Sequence, residues 1–160
     1  MKENRITAES LANGKVLQVL KSEFLKSRST EALLPLLSCL RDSVVHVPVN
    51  LIVSERDSIQ LRSCGVGDYF TNQDEIRMEP DILKSPDKKL WFPMFSQKEQ
   101  IPEDYGKGFS IVHLNVPYCL AMAHRREGVE GIVLDAFSES LVLPFEIADI
   151  INEIPSQLTE

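Results

Sequence analysis

Ser85-Pro86-Asp87-Lys88-Lys89, followed by Leu90-Trp91-Phe92-Pro93-Met94-Phe95, carries the clearest local signal in the chain. Proline at position 86 pre-sets φ, and the Asp87 carboxylate can bond to nearby backbone, so the first five residues read as a turn. The turn joins an extended segment around Ile76 to Lys84 to the apolar segment Leu90 to Phe95, and the expected unit is a β-hairpin. Side chains alternate across a strand, so Trp91 and Phe92 must leave on opposite faces. One of them is either covered by a second layer or left as a patch open to a partner, and cover on both faces is the expected outcome. Ser96, with Glu99 three residues on, fits a capping box for a short helix that Pro102 stops.

Towards the carboxyl end, Phe109 to Leu114 alternates as a strand does. Asn115 is then a fitting N-cap, and Pro117 near the first helical position suits a helix from about Val116 to Arg126, with Gly128 as its left-handed stop. Gly131-Ile132-Val133-Leu134-Asp135 and Leu141-Val142-Leu143 read as two short strands. Pro144 ends the second, and Glu146 to Glu153 reads as a final helix with Ile147, Ile150, Ile151 and Ile154 facing inward.

Towards the amino end, Val44-Val45-His46-Val47-Pro48-Val49 reads as a strand, with Pro48 marking its end or an edge. Before it come two helices. The first runs from Gly14 to about Ser27, with Asn13 as N-cap, Val16, Leu17, Leu20, Phe24 and Leu25 on one face, and Lys15, Gln18, Lys21, Glu23 and Lys26 on a solvated face. The second, capped by Ser29 or Thr30, runs to Leu40 on a broad leucine surface, and Pro35 within it predicts a later start or a kink. Ser54 to Leu61 reads as a short helix, and Gly65 and Gly67 mark a turn. The fold class is α+β: a single layer of mixed β-sheet flanked by helices, in the order α-α-β-β-β-α-β-α-β-β-α. One domain is expected over residues 13–154, with a flexible arm at 1–12 and a tail at 155–160.

The chain has 160 residues, of which 43% are hydrophobic and 26% charged. That length suffices to bury roughly 70% of the surface of the unfolded chain. With 17 basic against 24 acidic residues the formal charge is −7, which opposes the counterion release that drives nucleic-acid binding. No apolar run approaches the ~20 residues of a membrane helix, so neither nucleic acid nor membrane is an expected partner. Met1-Lys2-Glu3-Asn4-Arg5 leads into no apolar segment, and the expected location is cytoplasmic.

Residue chemistry offers few centres. Cys39 and Cys119 lie in apolar helical runs, where a thiol acts as a small hydrophobe. Cys64 stands beside a glycine turn with Arg62 as the nearest cation, which makes it the alternative thiol nucleophile of a sulfur-transfer enzyme. Asp57, Asp74, Glu75, Asp87 and Asp104 read as solvated carboxylates. Asp135, at the carboxyl end of a buried strand, is either a functional group or a turn aspartate accepting a backbone donor, and the second is preferred. His46 and His113 on two strands could face each other, but no local pattern makes them metal ligands, and His124 rides on a helix. Gly65-x-Gly67 completes neither a dinucleotide nor a P-loop fingerprint, and no G-x-S-x-G occurs. No cofactor is expected. A further alternative is a small anionic ligand held at the amino end of the Asn115-capped helix.

Val45-His46-Val47-Pro48-Val49, then Asp81-Ile82-Leu83-Lys84 with Leu90-Trp91-Phe92-Pro93-Met94-Phe95-Ser96, then Gly131-Ile132-Val133-Leu134-Asp135 resemble successive blocks of the SseB amino-terminal domain family. The likeness runs from about Asn13 to Ile154. The family often has proline after the third block, where this chain has Ala136-Phe137. The resemblance implies the fold and a link to serine sensitivity, and it carries over no catalytic residue. The resulting expectation is a non-catalytic module acting through a protein partner or as a homo-oligomer, with Trp91, Phe92, Pro93, Phe95, Ser96 and Asp135 as interaction candidates.

Overall fold

A computed structural model describes residues 14–63, 74 and 77–157. In chain order it contains helices α1 (Lys15–Ser27) and α2 (Thr30–Asp42), strand β1 (Val44–Ile52), helix α3 (Glu55–Ser63), and strands β2 (Arg77–Pro80), β3 (Leu83–Lys84) and β4 (Leu90–Met94). A 3-10 turn (Lys98–Gln100), α4 (Glu103–Gly106), β5 (Ser110–Asn115), α5 (Val116–His124), β6 (Val129–Leu134) and β7 (Leu141–Pro144) follow, then α6 (Phe145–Ala148) and a closing 3-10 helix (Asp149–Glu153). The class is α+β, as the alternation of patterns predicts. Asn13, Cys64, Gly65, Gly67, Glu75 and Ile76 lie outside the described residues.

The expected single sheet is split in two. One sheet is antiparallel with strand order β2-β1-β5, and the other is mixed, β3-β4-β6-β7, with β4 and β6 parallel. The two meet at one antiparallel bridge, in which the His46 N–H donates to Phe95 O at 2.8 Å and the Phe95 N–H donates to His46 O at 2.9 Å. Continuing that register two residues along would place Pro48 opposite Pro93. Neither has an N–H, so the next pair of ladder bonds cannot form. The gap falls there, and β1 passes instead to β2, beginning at Val49 and Pro80. Pro48 therefore sits inside a central strand, not at its end, because its missing donor points into the gap between two partners.

The hairpin at 85–89 forms, but it is short: Leu83 pairs with Trp91 and Lys84 with Leu90. The upstream residues of the expected hairpin arm, Arg77 to Pro80, pair with β1 and belong to the other sheet. Helix α2 begins at Thr30, with Ser29 Oγ accepting from the Ala32 N–H at 3.2 Å, and it carries Pro35 in its interior. The expected later start is not seen; Pro35 and Leu34 sit on the exposed side. Asn115 caps α5 by accepting from the Tyr118 N–H at 2.8 Å; the helix ends at His124 with Arg125 as a right-handed C-cap, short of the expected Arg126, and Gly128, φ +84°, lies in the turn that leads into β6 and is not the helix stop. The final helix is one α-turn followed by a 3-10 turn, and of its expected inward residues Ile150 is exposed. Beyond the closing 3-10 helix, Ser156 Oγ and the Gln157 N–H both donate to the buried Asp42 carboxylate.

One core unites the elements. Leu17 of α1, Leu36, Leu37 and Leu40 of α2, Leu120 and Ala123 of α5, and Ala148 and Ile151 near the carboxyl end pack with Val45, Val47, Phe92, Met94, Ile132 and Leu134 from the strands. Cys39 and Cys119 are part of it, and burial raises both thiols, Cys119 to about 12. They are packing residues and not nucleophiles.

Candidate interaction surface

Asp135 follows β6 in a left-handed conformation, φ +55°. Its N–H continues the ladder by donating to Met94 O at 2.9 Å. The left-handed turn sends the carboxylate towards α1 and Ser96. Oδ1 accepts from the Ser96 N–H at 2.9 Å; Oδ2 accepts from Ser96 Oγ at 2.7 Å, Lys21 Nζ at 2.8 Å and Gln18 Nε2 at 2.9 Å. Asp135 and Lys21 are 0% and 1% exposed, a fully buried ion pair. The preferred reading of Asp135 as a turn aspartate that accepts a backbone donor agrees with this geometry, but the knot is larger than expected. The carboxylate is buried and ties α1, the end of β4 and the end of β6 together.

Two expectations give way at this point. The charge pattern predicts a solvated face for Lys21 and Gln18 on α1, yet Lys21 lies inside. Leu17, Leu20, Lys21, Phe24 and Leu25 follow the i, i+3, i+4, i+7, i+8 pattern, so position 21 falls within the apolar stripe. That was the available signal, and the charge masked it. Ser96 does not cap the following turn either: Gln97 precedes it with no side-chain cap, and the Ser96 hydroxyl goes to Asp135. Gly14, φ +72°, starts α1 against this same place, where a Cβ would lie 2.3 Å from Ser96 O.

The four-stranded sheet has two unlike faces. Phe92, Met94, Ile132, Leu134, Leu141 and Leu143 point into the core. On the other face the Phe95 end is roofed by aromatic rings: Phe137 stacks at 6.2 Å and Tyr105 lies 6.1 Å away, with Phe109 beyond it. Tyr105 donates to Asp81, and burial first, then that carboxylate, pushes its phenol up. At the Trp91 end the roof stops. A hollow of about 330 Å³ lies there, lined by strand and turn residues, with Leu83, Trp91 and Val133 inside it and Phe137 and Val142 at its lip. Phe137 and Val142 are 49% and 46% exposed. Trp91 is half-buried, and its indole N–H donates to Ser85 Oγ at 3.2 Å.

Cover on both faces thus holds for Phe92 and fails for Trp91. Among the six candidates only Trp91 keeps open surface; Phe92, Pro93, Phe95, Ser96 and Asp135 are buried. Leu83, Phe137 and Val142 were missed. For Val142 the signal was there, since a residue between two core leucines on one strand must face away from them.

His46 and His113 do face each other across β1 and β5, rings 4.3 Å apart and edge to face. No group of three or more His, Cys, Asp or Glu able to hold a metal occurs among the described residues. His124 stacks on Phe145 and pairs with Asp149 at 2.7 Å. The anion reading of the α5 amino end lacks its donors: the Val116 N–H is directed to Ser43 O, Pro117 has none, and the Tyr118 N–H is taken by Asn115. Asp57, expected in solvent, is buried and accepts from the Asp74 N–H at 2.9 Å. A larger hollow of about 510 Å³ runs between α1, α2 and Ile154. It is apolar apart from Ser38, Asp42 and Gln157, and the Ser38 hydroxyl is buried there without a partner among the described residues. No helix among the described residues is long and apolar enough to cross a membrane.

The fold and surface define an α+β domain with two linked sheets, one of which has a partly uncovered outer face. The family model of the SseB protein N-terminal domain matches residues 21–147. The chain belongs to that family. No curated protein and no solved structure matches it.

Proposed function

We propose that the chain is a non-catalytic cytoplasmic interaction module that receives a protein partner, or a second copy of itself, on the outer face of the β3-β4-β6-β7 sheet. The observation that carries the reading is the interrupted roof: the same face is sealed by aromatic rings at Phe95 and open at Trp91. Large aromatic residues fixed in a concave apolar setting are what binding hot spots are made of. The indole N–H of Trp91 donates to Ser85 Oγ, a contact that restrains the ring and so lowers the entropy lost when a partner orders it.

The test is site-specific photocrosslinking in cells with a benzoylphenylalanine at position 137, compared with the same group at Glu153 in the closing 3-10 helix, together with sedimentation of the purified chain over a wide concentration series. A protein adduct from position 137 alone, lost in Val142→Glu, is the expected result. A strict monomer giving no adduct at position 137 contradicts the reading.

A further inference from the structure

We infer that the partner segment received by this face is acidic and carries one large apolar anchor side chain; the inference rests on the interaction reading above. The hollow of about 330 Å³ lies at the bottom of the range of roughly 300–1,000 Å³ that holds drug-sized ligands, and suits one bulky side chain better than a cofactor. Its floor and lip are apolar. Its rim on the side of the 85–89 turn is not.

Lys84 lines the hollow, and Lys88 and Lys89 follow in the turn. Asp87, the one acidic residue of that turn, is already engaged: it accepts from the Ser85 hydroxyl and the Lys89 N–H, and lies 4.0 Å from Lys89 Nζ. Lys84 and Lys88 form no ion pair among the described residues. Of the two acidic side chains in the β6–β7 connection at the opposite lip, Asp135 is buried in its pair with Lys21, and the Glu139 carboxylate accepts from Ser22 of α1 at 3.2 Å. A chain of formal charge −7 thus places one unpaired lysine, Lys84, in the lining of its open apolar hollow, with Lys88 in the adjoining turn. Complementary charge steers encounter and excludes wrong partners, so a segment bearing Asp or Glu beside a Leu, Phe or Trp anchor is favoured over a basic or neutral one.

Trp91 is the only tryptophan in the chain, and its emission reports occupancy of the hollow directly. The experiment selects a random peptide display library on the full chain, then titrates the enriched peptides, synthesised, while Trp91 emission is followed. Lys84→Glu combined with Lys88→Glu tests the rim and Val142→Glu tests the hollow, each with a thermal melt to establish folding. Enriched peptides that are acidic with one apolar anchor, that shift Trp91 emission to shorter wavelength, and that bind the double lysine variant about tenfold more weakly or worse are expected. Peptides of neutral or basic composition that shift Trp91 equally would overturn the inference and leave the interaction reading standing. If no peptide moves Trp91, or if phosphatidylserine vesicles move it and peptides do not, both fall.

Discussion

Leu141 and Leu143 are 0% and 2% exposed, while Val142 between them is 46% exposed. Three consecutive residues of one edge strand therefore serve two different surfaces. The inner face of this sheet is packed against α1, α2 and α5, and its side chains are fixed by what they displace from water. The outer face is finished only at one end. The contrast teaches that apolar content alone does not mark a core here; what separates the two faces is whether a second layer arrives, and at Trp91 none does among the described residues.

The largest expected effect lies where the two faces are tied together. Asp135→Ala leaves the buried Lys21 ammonium and the Ser96 N–H without their acceptor, and should cost about 3–5 kcal/mol in urea unfolding. Asp135→Asn, which tolerates the left-handed turn, should cost less, and pairing it with Lys21→Met should recover part of the loss. On the inner face, Ile132→Ala should cost about 2–5 kcal/mol, since it empties a fully buried site. The outer face is not uniformly tolerant. A Cβ at Gly131 would lie 2.2 Å from Leu143 O in the neighbouring strand, so Gly131→Ala should cost about 1–3 kcal/mol through backbone displacement.

A smaller effect concerns the seam between the sheets. Burial, and then the neighbouring His113 ring, hold the His46 imidazole below the ordinary histidine range. As pH falls the unfolded chain takes up this proton first. The His46 contribution is therefore complete above about pH 6.5, declines below it, and levels off once the folded-state pKa is passed. His46→Gln should flatten that part of the pH profile of the urea midpoint. The smallest effect is at Val142: Val142→Ala should shift stability by no more than about 0.5 kcal/mol, while weakening association on the outer face. A cost at Val142 as large as that at Ile132 would mean that the two faces are equally filled.

The elements were legible where side-chain chemistry acts locally. Ser29 and Asn115 cap as their hydroxyl and amide oxygens allow, and the strands at 110–115, 129–134 and 141–144 follow from alternation and β-branched content. What depended on distant pairing was not legible. Pro48 and Pro93 are each visible as missing donors, but only the antiparallel bridge between His46 and Phe95 brings them opposite each other and divides the sheet. Arg77 to Pro80 read as part of the hairpin because the turn at 85–89 is strong, yet β1 offered the longer ladder. Lys21 was hidden by the assumption that charge stays in water, which fails when a carboxylate is folded over it. The candidate surface was legible in one residue, Trp91; the rest of it comes from β3, β7 and the connection before β7, which are far apart in sequence.

Acrylamide quenching of Trp91 in the full chain tests the central claim most directly. The account predicts intermediate quenching in the free chain, well above that of a buried indole, and protection when an acidic anchor peptide is bound. Quenching already as weak as that of a fully enclosed tryptophan, unchanged by any ligand, would show that the outer face is filled and would contradict it.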